Sequence, residues 1–169
     1  MQPAAVWRRG VARFIDLGMH IAVLEGAGAL ADQLPVRRLL FAPEGDTLLY
    51  IDLFFGIGAM VLYAAVSEAW GGVTLGKILA QIRVVPAAGE GPLGVRAAFT
   101  RNLGLLADGF LFGLVGYSAI RRSPTQQRVG DVWAGTRVVE GAAPALAYQG
   151  PALGGLAAMG LLLVSYLLT

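Results

Sequence analysis

Four ionisable side chains stand at helical spacing near the start of the chain. Arg9, Arg13, Asp16 and His20 follow one another at intervals of four, three and four residues. On a helix this places them on one stripe roughly 60° wide. A carboxylate in such an apolar setting must pair with a cation or take up a proton. The stripe therefore predicts either an internal ion pair of Asp16 with Arg9 or Arg13, or a carboxylate that binds a proton or a small cation.

A second pair of opposite charges has the same form. Arg101 and Asp108 lie seven residues apart, as Arg9 and Asp16 do, and would share one helix face. If both pairs point into one helical bundle, we expect a shared charged cluster. Charges inside membrane segments usually mark function or a conserved pairing.

Two further polar residues receive more modest predictions. Glu68 lies two residues before Trp70, which is typical of an interfacial anchor, so we expect Glu68 near the lipid headgroups. His20 is the chain's one histidine, and the chain has no cysteine, so we expect no metal site.

The stretch Gly71–Lys77 is similar in spacing to a phosphate-binding loop. Residue 78 is Ile rather than Ser or Thr, and an apolar helix rather than a strand precedes the stretch. Both features exclude the usual nucleotide site. We predict a structural loop in which Thr74 caps a short helix that contains Lys77. The predicted loop motif consists of Gly72, Thr74, Gly76, Lys77, Arg128 and Asp131.

Long apolar segments must position these groups. The chain is 56% hydrophobic and 14% charged, against about 25% charged in soluble domains. Spans need roughly 20 apolar residues. The stretches are Val11–Ala31, Leu48–Trp70, Leu103–Ile120 and Pro151–Leu168. A net charge of +2 from scattered arginines gives no sign of a nucleic-acid partner.

The arginines bear on orientation. If Leu103–Ile120 crosses the bilayer, seven basic residues lie inside and six outside; if it re-enters, the count is eleven against two. The positive-inside rule favours re-entry, with a cytoplasmic N-terminus, but 18 apolar residues suffice to cross, and both alternatives stay open.

Three local features complete the pattern. The charges within the first apolar run favour a retained helix over a secretory signal. Gln81–Val85 is either a short strand or the end of an interfacial helix, and no internal repeat is evident. Gly150, Gly154 and Ala158 form a small-residue surface for packing within the chain or between copies.

Taken together, the motifs resemble the RDD family of bacterial membrane proteins, named for one arginine and two aspartates. The resemblance covers about Trp7–Val139. The family's motifs match, in order, Arg9-Ala12-Ile15-Asp16, Gly72-Thr74-Gly76-Lys77 with Arg83–Val85, Arg101-Asn102-Leu103 with Asp108, and Gln127-Arg128-Asp131-Ala134-Gly135-Thr136 with Val138 and Val139. The second defining aspartate is Asp108 or Asp131. Gly130 stands where a histidine is common.

The expected fold is all-α: a polytopic helical membrane protein with three to four transmembrane helices and one segment that spans or re-enters. Residues 1–140 would form the RDD-like domain, and residues 141–169 a linker and an extra helix. The resemblance implies transport of a small cation or proton in the cell (inner) membrane; the alternative is a non-catalytic scaffold, assembly or lipid-interaction module. We expect no enzyme activity, cofactor, metal, nucleotide or nucleic acid. The expected partners are the lipid bilayer, a small cation or proton, and further copies of the chain.

Overall fold

The protein is mostly helical, with one small sheet. The computed structural model describes residues 2–33, 46–89, 91–108, 114–142, 144–145 and 148–167. In chain order the elements are α1 (Val6–Gln33), α2 (Asp46–Gly71), α3 (Leu75–Leu79), β1 (Ile82–Pro86), α4 (Val95–Asp108), α5 (Leu114–Arg122), α6 (Val129–Trp133), β2 (Thr136–Glu140) and α7 (Gly150–Leu167).

Helix α7 packs against α1 and α2 through a small residue. A side chain at Gly155 would overlap the thioether of Met19 on α1 and approach the ring of Tyr63 on α2. The Tyr63 hydroxyl donates to the carbonyl of Ala152, 3.0 Å away, and accepts the Leu75 amide at 3.1 Å. Gly155 therefore serves packing within the chain, whereas a side chain at Gly150 or Gly154, which belong to the predicted small-residue surface, would meet nothing within 4 Å. Tyr63 joins α2 to both α7 and α3.

The prediction of an all-α fold is wrong in one respect. Strands β1 and β2 pair antiparallel, with Val84 opposite Val138, so the strand alternative for Gln81–Val85 is confirmed with shifted bounds. The N-terminal residues extend the ladder, because the Ala4 amide donates to the Val138 carbonyl at 3.0 Å. β-Branched valines favour strands. Two short strands far apart in sequence leave little periodic signal for a sequence analysis to detect.

The two strands belong to an internal repeat that the sequence analysis missed. The two copies of the repeat are residues 75–86 and 129–140. In each copy a five-residue helix, a two-residue turn and a five-residue strand follow one another, and both strands have the same burial pattern. The turn residues Gln81 and Gly135 both adopt positive φ, 55° and 61°. The equivalent residues are Gly76 and Gly130, Lys77 and Asp131, Ala80 and Ala134, Arg83 and Arg137, Val84 and Val138, and Val85 and Val139.

The strand register has the symmetry of this repeat. Val84 pairs with its own equivalent, Val138, while Arg83 pairs with Val139 and Val85 with Arg137. Such a register places a pseudo-twofold axis between the two central valines. The sheet is therefore the place where the two copies of the repeat meet.

Three of the four predicted apolar stretches correspond to single helices, and the fourth does not. Three of the four stretches fall within α1, α2 and α7 apart from Leu168, and the fourth is divided between α4 and α5, with residues 109–113 outside the described part. Among the residues that the structure describes, no helix has both the length and the apolar character needed to cross a bilayer. The number of spans and the choice between spanning and re-entry for Leu103–Ile120 stay predictions.

Candidate functional site: a buried charge cluster

Glu68, near the end of α2, is the centre of a buried charge cluster. Its side chain is fully buried, and both carboxylate oxygens accept from Arg101 Nη1, at 2.6 and 2.7 Å. Lys77 Nζ lies 2.8 Å from Oε1, and Asn102 Nδ2 donates to Oε2 at 2.8 Å. Three donors from α3 and α4 enclose the carboxylate, while the expected depth of Glu68 near the headgroups stays a prediction.

Asp131, on α6, is the second buried carboxylate of the cluster. Its Oδ1 lies 2.8 Å from Arg101 Nε, at an angle that makes this an ion pair rather than an aligned hydrogen bond. The Arg128 amide donates to Oδ2 at 3.1 Å. Burial alone would raise the pKa of Asp131, but the charges of Arg101 and Arg128 outweigh burial and hold it below its usual value.

Arg101 joins the two carboxylates. It is 2% exposed, and it lies between Glu68 and Asp131. Burial opposes its charge, but the two carboxylates together raise the pKa of Arg101 above its ordinary value. One guanidinium therefore holds α2, α4 and α6 at a single point.

Arg9 fastens the start of α1 to the sheet and to α6. Its guanidinium donates to the carbonyls of Ala4 at 3.0 Å, Gln126 at 2.6 Å and Val138 at 3.3 Å. Its charge lies 3.8 Å from Asp131. The predicted pairing of Arg9 with Asp16 needs correction, since the guanidinium of Arg9 is turned toward Asp131 on α6.

Asp16 binds α3 instead. Its two oxygens accept the hydroxyl of Thr74 at 2.6 Å and the amide of Gly76 at 2.8 Å. Thr74 does occupy the N-cap position of α3, but it makes no side-chain capping bond there. The cap that we expected from Thr74 comes from Asp16 on another helix, and a carboxylate suits a helix N-terminus well. Lys77 Nζ also approaches the Thr74 hydroxyl, at 3.2 Å.

Two glycines allow the short helices to reach their neighbours. A Cβ on Gly76 would overlap the Ala12 carbonyl of α1, and one on Gly130 would overlap the Arg101 carbonyl of α4. Gly130 also meets Gly104. The lack of a side chain at Gly130 permits the contact between α4 and α6.

A cavity of about 540 Å³ adjoins the cluster. It has an apolar wall from α1, α5 and the two strands, and a charged floor. The ionisable residues that line it are Arg9, Arg13, Asp16, Glu68, Lys77, Arg101 and Arg128.

The remaining predicted residues have separate outcomes. His20 is buried on α1, and the described polar contact of Arg13 is a long one, 3.7 Å, from Nη2 to the Met60 sulfur. Asp108 ends α4, and its side chain lies outside the described residues. Asp131 lies in the cluster, and the choice between Asp108 and Asp131 as the second defining aspartate stays open. In the parts of the chain described, no group of three or more His, Asp or Glu side chains is placed to hold a metal ion.

Sequence reasoning missed Glu68 and Asn102. A signal for Glu68 existed, because Val61, Ala64 and Ala65 precede it by seven, four and three residues and form the buried face of α2. A carboxylate on that face predicts a buried ion pair rather than an interfacial position.

The sequence model of the RDD family matches residues 3–135. No curated protein and no solved structure matches the chain.

Proposed function

We propose that this protein acts as a non-catalytic scaffold or assembly module whose fold is held together by its charge cluster. The chain belongs to the RDD family and is a membrane protein. One observation carries this proposal. Each of the three carboxylates described in the cluster is held by donors from other elements: Asp16 by Thr74 and Gly76, Glu68 by Lys77, Arg101 and Asn102, and Asp131 by Arg101.

Such pairing suits a fixed structure better than an exchange site. A carboxylate that exchanges ions must release its partner in each cycle. Removing one partner of a buried pair leaves an uncompensated charge and costs roughly 3–5 kcal/mol. Glu68 and Asp131 share Arg101, so neither could take up a cation without disturbing the other.

Transport of a small cation or proton is the second candidate, and two observations favour it. Asp16 lines the cavity, and the partners that the structure gives it are a neutral hydroxyl and a neutral amide. Protonation of Asp16 would therefore not break a hydrogen bond to an arginine in either of these two contacts. The helix–turn–strand repeat also has a pseudo-twofold relation, as the much larger repeats of many transporters do.

Ion flux in proteoliposomes distinguishes the two candidates. Wild-type protein, Asp16→Asn and the matched exposed-arginine variant Arg96→Gln would be reconstituted at equal density, and cation flux would be measured under a pH gradient. The scaffold proposal predicts no flux above empty vesicles in all three samples. Wild-type flux that persists in Arg96→Gln and is lost in a folded Asp16→Asn protein would establish transport instead.

Further proposals concern activity, partners and placement. We propose that the protein has no enzymatic activity and binds neither nucleotide nor nucleic acid, since Lys77, the one lysine of the loop motif, already contacts Glu68. The lipid bilayer and other copies of the chain are the proposed partners. We also propose a multi-pass arrangement in the cell (inner) membrane with a cytoplasmic N-terminus, supported by the distribution of arginines.

A further inference from the structure

The cavity beside the charge cluster carries an excess of positive charge. Among the described residues, the five cationic side chains that line it face three carboxylates, of which Asp131 lies just behind the lining and contacts Arg9, Arg101 and Arg128. Two positive charges are left over. The cationic lining residues are Arg9, Arg13, Lys77, Arg101 and Arg128.

The arginines act on one another within this space. Burial lowers the pKa of Arg9 to about 10; Asp131 counteracts this, but the neighbouring charges of Arg128 and Arg101 lower it further. Guanidinium groups brought together in a poorly solvated place are stabilised by an anion that bridges them. The surroundings therefore favour a negatively charged occupant over a cation.

The mouth of the cavity is apolar. Leu17 on α1 and Tyr117 on α5 line it and are themselves 42% and 52% exposed. Further exposed apolar residues continue along α1 from this point, namely Trp7, Val11, Phe14 and Ile21. A ligand that enters here would place a charged group on the cationic floor and an apolar part against Leu17 and Tyr117.

From this arrangement we propose that the cavity binds a phosphate group, and that the phosphate belongs to an anionic phospholipid. The doubly basic floor matches phosphate oxygens, which arginine binds through paired hydrogen bonds. The volume of about 540 Å³ lies within the range of sites that hold small organic ligands. The lipid proposal does not depend on the scaffold proposal, because a scaffold and a transporter could each have or lack a lipid site.

Lipid titration of the purified protein in neutral detergent tests the proposal. Phosphatidylglycerol and phosphatidylcholine with the same short acyl chains would be added in parallel, and bound lipid would be counted by native mass spectrometry. We expect saturable binding of phosphatidylglycerol that phosphatidylcholine does not match. Arg13→Gln should weaken it roughly tenfold or more, since it removes one charged hydrogen-bond donor. Arg96→Gln, an exposed arginine on α4, should leave it unchanged.

A second pair of variants covers the case in which Arg13→Gln fails to fold. Leu17→Glu places a negative charge at the mouth and should abolish binding, whereas Leu17→Gln, of the same size and without charge, should retain it. Inorganic phosphate, with sulfate at matched ionic strength as control, separates the two sources of the group. Competition by phosphate supports recognition of the phosphate itself, and phosphate binding without lipid binding assigns the site to the free ion.

Three results would overturn the proposal. They are equal binding of the zwitterionic lipid, equal weakening by Arg13→Gln and Arg96→Gln, and lipid binding that is the same in Leu17→Glu and Leu17→Gln.

Discussion

Replacing Glu68 by glutamine should reveal how much the charge cluster stabilises the fold. The carboxylate is fully buried and contacts Arg101 and Lys77 within 2.8 Å. The change removes the negative charge and turns an amide group toward side chains that can only donate. Breaking a buried pair in this way costs roughly 3–5 kcal/mol. Since 1 kcal/mol shifts Tm by about 2–4 °C in a chain of this size, we expect Tm to fall by about 6–20 °C.

Glu140→Gln is the matched control. Glu140 lies 3.6 Å from Arg8, and both side chains are about one-third exposed. Exposed pairs of this kind contribute about 0–1 kcal/mol. Thermal unfolding in detergent should therefore separate the two glutamine variants by several degrees.

A double variant tests the cause. Adding Lys77→Met to Glu68→Gln removes the stranded cation, so part of the lost stability, on the order of 1 kcal/mol, should return. The reasoning is refuted if Glu68→Gln lies within about 1 kcal/mol of wild type, or if Lys77→Met makes the Glu68→Gln protein still less stable.

Three further outcomes follow from the structure. Because the folded pKa of Asp131 lies below its ordinary value, its contribution to stability is complete above the unfolded pKa of about 3.9 and is lost as the pH falls through the folded one; Asp131→Asn should flatten the acid side of a plot of Tm against pH. Gln81→Gly should stabilise the protein by roughly 0.5–1 kcal/mol and Gly135→Ala should destabilise it by a similar amount, since both positions have positive φ; equal signs in chemical denaturation would contradict this. Single cysteines at Ala88, which is exposed, and at Ser123 should react with an impermeant label from the cytoplasmic side in oriented vesicles, and labelling from opposite sides would show that Leu103–Ile120 crosses the membrane.

The sequence predicted the class of fold because helix periodicity and apolar content are local signals. It offered β1 only as one of two alternatives and did not predict β2 or their pairing, since each strand has only five residues and paired residues lie fifty or more positions apart. The resemblance of Arg83-Val84-Val85 to Arg137-Val138-Val139 was visible in the printed sequence. That this resemblance marks two paired strands is seen only in the folded chain, where β1 and β2 lie side by side.

The sequence singled out several charged residues that lie in the cluster, but it assigned them other partners. Arg9, Asp16, Arg101 and Asp131 all take part in buried polar contacts. Their partners were assigned along single helices, where spacing gives a geometric rule. The actual partners come from other elements, and no rule of local spacing could have brought Glu68 to Arg101.

The repeat has a consequence for the signs of the charges. Lys77 and Asp131 occupy equivalent positions in the two halves but carry opposite charges. Two identical half-chains related by a true twofold axis would have to carry the same residue at both positions, and like charges would then face a common centre. Joining the halves in one polypeptide removes that constraint, so one half can supply a cation to Glu68 while the other supplies an anion to Arg101. The covalent link thus permits opposite charges at equivalent positions of the two repeat copies, and a homodimer of either copy could not reproduce them.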